Sequence, residues 1–352
     1  MPRKPHRDLG MTNTIPFEEL SDRLKDDDLP EILVRDHLDR MEPAYFERYE
    51  PGVIRRHIAM ISRLGPENAA EIEVEPLGDS TWRLTVVAFD NLSVMSILSG
   101  LLATSGLSIR RGDVFTYVDA EPAIGARKRS RRPQRRRRVG SGAPAAPQDI
   151  TSSSLRSQRK IVDVFRVHAP SESPPDWPAV TREIKDAMGN LRSNSAGALQ
   201  RRLNERVVDY LRHERDAEHS SMFPVHVGID NDTVSGATRL DITGQDTPAF
   251  LYALSTALAL RNINIRRIDI AAAGIQVQDT LEVTDRRGSK ITDPRKLQEL
   301  RFVITLIKQF THLLTRAPNP AQALEHFNQL IDQVLANVQS GRAMEEMFDQ
   351  LE

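Results

Sequence analysis

Few side chains in this 352-residue sequence have both the type and the spacing for chemistry. Asp90 and Asp246 are the first of them, because each stands where strand patterning gives way to helix patterning. A carboxylate there either borders a ligand pocket or serves as an N-cap, accepting free backbone N–H groups for about 1 kcal/mol. Asp163 and Asp279 lie mid-strand at matched positions, suited to a polar contact between domains or to an exposed sheet face. Catalytic and metal-binding sets are missing. Gly140-Ser141 and Gly288-Ser289 have no Asp-x-Asp pair downstream to hold Mg²⁺ for nucleotidyl transfer. The one Asp-x-Asp near a strand, Asp230-Asn231-Asp232, has no Gly-Ser before it and reads as turn chemistry. His213 and His219 are six apart, which is not the i, i+4 spacing of helical metal ligands. No P-loop, Rossmann glycine set or Gly-x-Ser-x-Gly elbow occurs. The chain has no cysteine, which removes disulfides, thiolate metal sites and cysteine nucleophiles.

The elements that position these residues repeat. Arg83-Leu84, Val86, Ala88 and Asp90 recur as Arg239-Leu240, Ile242, Gly244 and Asp246. The offset of 156 holds through Leu98-Ser99 and Ile109-Arg110-Arg111, matched by Leu254-Ser255 and Ile265-Arg266-Arg267. Ile161, Asp163, Phe165 and Val167 then match Val277, Asp279, Leu281 and Val283 at an offset of 116. The difference of 40 residues is an insertion within the first copy. In each copy, alternating apolar residues give a strand and a run such as Val94, Ile97, Leu98, Leu101 and Leu102 gives a helix. Two more strands come after it. The order β-α-β-β-α-β, twice over, predicts an α+β chain of two ferredoxin-like domains in tandem. The strand at 223–230 is free to serve either copy, since no fourth strand comes after the second.

The expected organisation is a loose tail over 1–15, a helical segment over 16–75 and a first domain over 80–230. A second domain spans 236–292 and helices fill 293–352. Residues 120–157, rich in Arg, Pro, Ala, Gly and Ser, bury too little apolar surface to offset ordering entropy and read as disordered. They contain nine cations: Arg127, Lys128, Arg129, Arg131, Arg132, Arg135, Arg136, Arg137 and Arg138. Without these nine, the formal net charge of −1 becomes −10, so the body is acidic. The run reads as a solvated linker, a dock for an acidic surface, or a phosphate-binding patch. No aromatic lies among residues 120–157 to stack on bases, which argues against nucleic acid. Mean hydropathy is −0.43. No apolar stretch approaches a membrane span and no signal peptide is present, so the cytoplasm is the expected location.

Both copies resemble ACT domains, the small modules that bind amino acids. More narrowly, they resemble the tandem ACT region of the bacterial PII uridylyltransferase/uridylyl-removing enzyme family. The likeness is carried by Val227-Gly228-Ile229-Asp230-Asn231, Thr238, Gly244, Asp246, Pro248, Leu251-Tyr252, Asn264-Ile265, Val283-Thr284-Asp285 and Lys290-Ile291, and earlier by Pro43, Tyr45-Phe46 and Arg48-Tyr49. Phe310, Leu313-Leu314, Ala317-Pro318-Asn319-Pro320 and Phe327 resemble the helical opening of a glutamine synthetase adenylyltransferase. The resemblance implies a non-catalytic regulatory module without cofactor. It would sense an amino acid, glutamine foremost, for an attached or associated nucleotidyltransferase, with PII protein or glutamine synthetase as further partners. A dimer is compatible with it. It also implies a fragment of a longer adenylyl- or uridylyltransferase, since helical patterning is still under way at the end. The effector-binding residues it implies are Asp90, Asn91 and Ser93 in the first copy and Asp246, Thr247, Pro248 and Ala249 in the second. The family's turn is Asp-Arg-Pro-Gly, whose glycine lets backbone N–H groups approach a carboxylate. Ser93 and Ala249 replace that glycine here, and their Cβ atoms would crowd the approach.

Overall fold

The computed structural model describes residues 29–118, 158–169, 174–193, 196–213, 224–247, 249–273 and 276–314, with Leu20 and Leu24. The basic run, Pro248, Gly140-Ser141, His219 and the tail beyond residue 314 lie outside the described residues. The first complete elements among the described residues are helices α1 (Glu31–Arg40), α2 (Pro43–Arg48) and α3 (Pro51–Ser62). The first half continues with β1 (Ala70–Gly78), β2 (Thr81–Phe89), α4 (Val94–Thr104), β3 (Ser108–Thr116), β4 (Lys160–His168) and α5 (Trp177–Arg192). After α6 (Ala196–His213), the second half gives β5 (His226–Asp230), β6 (Thr238–Gln245), α7 (Phe250–Leu260), β7 (Asn264–Ala273), β8 (Gln276–Thr284) and α8 (Pro294–Leu314).

The protein is α+β, and its eight strands form one sheet in the order β1-β2-β4-β3-β7-β8-β6-β5. Every neighbouring pair is antiparallel. The order within each half differs from the expectation. The outer strand comes first, so each half reads β-β-α-β-β-α. β5 pairs with β6 and so serves the second copy. The first copy's outer strand is β1, which begins at Ala70, inside the segment over 16–75 expected to be helical. The 116-residue offset also runs on past the strands. Ile184, Met188 and Leu191 of α5 match Leu300, Ile304 and Ile307 of α8, and all six are buried.

The two halves meet about a local twofold. Gly112 of β3 faces its own repeat mate, Ile268 of β7. Above them, the Ser99 hydroxyl of α4 lies 3.1 Å from that of its mate, Ser255 of α7. Arg111 pairs with Asp269 at 3.7 Å and, reciprocally, Arg267 with Asp113 at 3.9 Å. A contact between equivalent residues is what a twofold axis requires. A Cβ on Gly112 would lie 2.7 Å from the Phe165 ring, so the seam needs glycine there. Tyr252 of α7 crosses into the first half's core, where its hydroxyl meets Gln200 and Asn204 of α6.

The helices α4 to α8 cover one face of the sheet in two cores, one per half. The other face is treated differently in the two halves. Helices α1–α3 bury it in the first half against Val87, Phe115 and Val162. β2 is therefore buried continuously from Leu84 to Ala88. In the second half β6 alternates strictly, with Leu240 and Ile242 inward. Its outward Arg239 and Asp241 pair at 2.9 Å on the polar side.

Candidate functional site

Each candidate site is a strand-to-helix turn with a strand carboxylate beneath it. At the first, Asp90 comes after β2 and Ser93 is the N-cap of α4, with φ −87° and no side-chain cap bond. The turn is held by Asn91, whose Oδ1 accepts the Ser93 N–H at 3.0 Å. Asp90 is not the N-cap. Its Oδ2 lies 3.0 Å from Nε of Arg159. At the second, Asp246 is exposed and Ala249 is the N-cap of α7. Ala249 has φ +58°, in the left-handed region that favours glycine. The missing glycine thus has a conformational consequence in the second copy and none in the first.

Because the twofold passes through the centres of α4 and α7, their starts lie at opposite ends of the helix pair. Six residues on each side of the axis, at about 1.5 Å rise per residue, separate them by about 18 Å. The structure therefore does not bring Asp90, Asn91 and Ser93 together with Asp246, Thr247 and Ala249.

The second turn is filled by α8. Lys308 reaches Asp279 with Nζ 3.1 Å from Oδ2, and the two side chains are 2% and 6% exposed. The ammonium also lies 3.8 Å from the centroid of the Phe250 ring. One helical turn on, the Thr311 hydroxyl lies 3.1 Å from that of Thr247. Gly244 makes room for the lysine, since a Cβ there would stand 3.3 Å from Lys308 Cε. Burial pushes the Asp279 carboxyl up and the Lys308 ammonium down, and their attraction opposes both shifts. Lys308 and Thr311 escape notice in the sequence because they sit inside an apolar helical period, where a core reading takes precedence. Carrying the 116-residue offset forward pairs Lys308 with Arg192 and is the signal that would draw attention to both.

The first turn lacks that closure. Asp163 is 1% exposed and its Oδ1 has no hydrogen-bond partner among the described residues, although a backbone hydrogen bond from Phe115 reaches the carboxyl. Burial pushes this carboxyl well above the usual range, and the nearby Asp90 charge adds to the shift. Arg192 points elsewhere, its guanidinium 4.2 Å from the Phe89 ring centroid and bonded to the Gly65 carbonyl. Neither strand aspartate joins the two halves or faces solvent. Among the described residues no group of three or more His, Asp or Glu side chains could hold a metal ion, and no helix is long and apolar enough to cross a membrane.

The relatives by sequence include the following three enzymes. A bifunctional uridylyltransferase/uridylyl-removing enzyme of Gluconobacter oxydans is 24% identical over 295 residues, which is 82% of this chain and 26% of the relative. One from a Bradyrhizobium strain is 25% identical over 300 residues, 84% of this chain and 26% of its own. The Caulobacter vibrioides enzyme is 26% identical over 265 residues, 74% and 23% respectively. The chain is a distant relative of these enzymes. It spans about a quarter of the length of the relatives it matches. No family model matches it.

Proposed function

We propose that this chain is the regulatory part of a nitrogen-control nucleotidyltransferase and that it senses a small amino acid, glutamine foremost. Its two halves are ACT-type, ferredoxin-like units, each with its outer strand supplied from in front. The observation that carries the reading is the local twofold. Two related units meet strand to strand and helix to helix, with Ser99 against Ser255 and Gly112 against Ile268. Similarity to about a quarter of each uridylyl-transferring relative supports a regulatory segment of a longer enzyme. PII protein and glutamine synthetase are the partners this reading assigns to the whole enzyme.

The mechanism is a population shift. An effector that binds one arrangement of the units more tightly moves the equilibrium toward it by the difference in affinity. Helix α8 carries the shift away from the units, because Lys308 and Thr311 tie it to the second turn. Calorimetric titration of the full chain with L-glutamine tests the reading, with L-glutamate and 2-oxoglutarate as controls. Saturable binding of glutamine alone is the expected result. Absence of binding at millimolar glutamine overturns it and favours a second reading, that the units only dock a partner. The closure of the second turn by Lys308 is the observation that speaks for that alternative.

A further inference from the structure

The two halves treat one repeat-matched position in opposite ways. Asp163 and Asp279 are mates at the 116-residue offset, and Asp90 and Asp246 are mates at 156. In each half the strand aspartate lies within electrostatic reach of the helix-start aspartate. In the second half this pair of carboxylates receives an ammonium, that of Lys308. In the first half the mate of Lys308 is Arg192, which is committed to Phe89 and Gly65.

The reason lies in the strand between them. Gly244, which lets the Lys308 stem pass, is matched by Ala88. A Cβ in that position narrows the route that a side chain from the covering helix would take. The mate of Phe250 is Val94, a smaller side chain at the start of α4. A carboxyl that is 1% exposed and has one oxygen without a hydrogen-bond partner among the described residues is costly to keep, of the order of several kcal/mol if ionised.

We propose that Asp163, with Asp90 beside it, binds the primary ammonium group of a small ligand, and that Lys308 is the protein's own stand-in for that group in the second half. This rests on the small-effector reading above and assigns the effector to the first unit alone. Asp90 pairs with Arg159, which is one-third exposed. An ion pair at that exposure is worth at most about 1 kcal/mol, so a ligand's ammonium displaces it at little cost.

The test is titration calorimetry on the full chain with three probes: L-glutamine, 2-oxoglutarate and n-propylammonium. Wild type and Asp163→Asn are compared, with thermal unfolding as a check on folding. Asp163→Asn should unfold at the same or a higher temperature, because it removes a carboxyl that burial penalises. It should weaken glutamine binding by about 10- to 100-fold, the range for a hydrogen bond to a charged group. Glutamine binding that is equal in both proteins overturns the ammonium site and leaves the sensor reading standing. Propylammonium binding that vanishes in Asp163→Asn, without glutamine binding to wild type, upholds the site and overturns the sensor reading. Binding of neither probe to wild type overturns both.

Discussion

Replacing Lys308 with methionine keeps the apolar stem and removes only the ammonium, leaving Asp279 buried without its cation. The folded protein then holds Asp279 as the neutral acid. In the unfolded chain the group has its ordinary pKa of 3.8 and is ionised at pH 7. Protonating it across that gap costs about 4 kcal/mol at pH 7, at about 1.4 kcal/mol per pH unit. This agrees with the 3–5 kcal/mol typical of breaking one side of a buried pair. The sign comes from the raised folded pKa. The folded state binds the extra proton, so the penalty shrinks as pH falls, to about 1.6 kcal/mol at pH 5. Asp279→Asn leaves the ammonium instead, and its penalty must shrink as pH rises. The double variant Lys308→Met with Asp279→Leu should recover most of the loss, because neither charge remains to be desolvated. Urea unfolding at pH 5, 7 and 8.5 measures all three. A Lys308→Met penalty below about 1 kcal/mol at pH 7, or one that does not fall toward pH 5, would refute the account of a closed second site.

Ala249→Gly should stabilise the protein by about 0.5–1 kcal/mol in urea unfolding, since φ +58° costs alanine more than glycine's entropy costs glycine. Ser93→Gly, at φ −87°, should destabilise by a similar amount in the same assay. Burial lowers His37 to about 3 and His57 to about 4, so the stability each contributes is complete above 6.5 and is lost as pH falls below it. Over pH 7.5 to 5, His37→Gln should therefore lose about 2 kcal/mol less than wild type by thermal or urea unfolding. Gly112→Val should cost about 2–3 kcal/mol by overpacking Phe165 at the seam, read by unfolding and by loss of cooperativity between the halves.

The repeat was legible because equivalent residues bury equivalent faces, so Leu84, Val86 and Leu98 recur as Leu240, Ile242 and Leu254. The strand β1 was not. Only Ile72 and Val74 are apolar in its centre, and its glutamates are neutralised by cations from α3 and its C-cap, β2 and α5. Glu71 meets Arg63 and Lys185, and Glu75 meets Arg56 and Arg83. The alternation of Ala70, Ile72 and Val74 with glutamates is a strand pattern, but it is short and glutamate is a weak strand former, so it does not stand out. The turn residues stand at the helix starts as the sequence suggests, but their chemistry was not readable there. Whether a buried aspartate has a cation depends on a helix 29 residues further on and on one methyl group, Ala88 against Gly244. The capping role read for Asp90 failed for a similar reason, since Arg159 lies beyond the insertion.

A sheet that reads the same from either end terminates in two strands of the same standing, β1 and β5. Neither is inviting to a newcomer. β5 spans five residues, and β1 alternates glutamate through its length and carries Pro76. Short, charged and proline-bearing borders resist the addition of a further strand. Growth of the ladder from chain to chain is thereby discouraged at both ends.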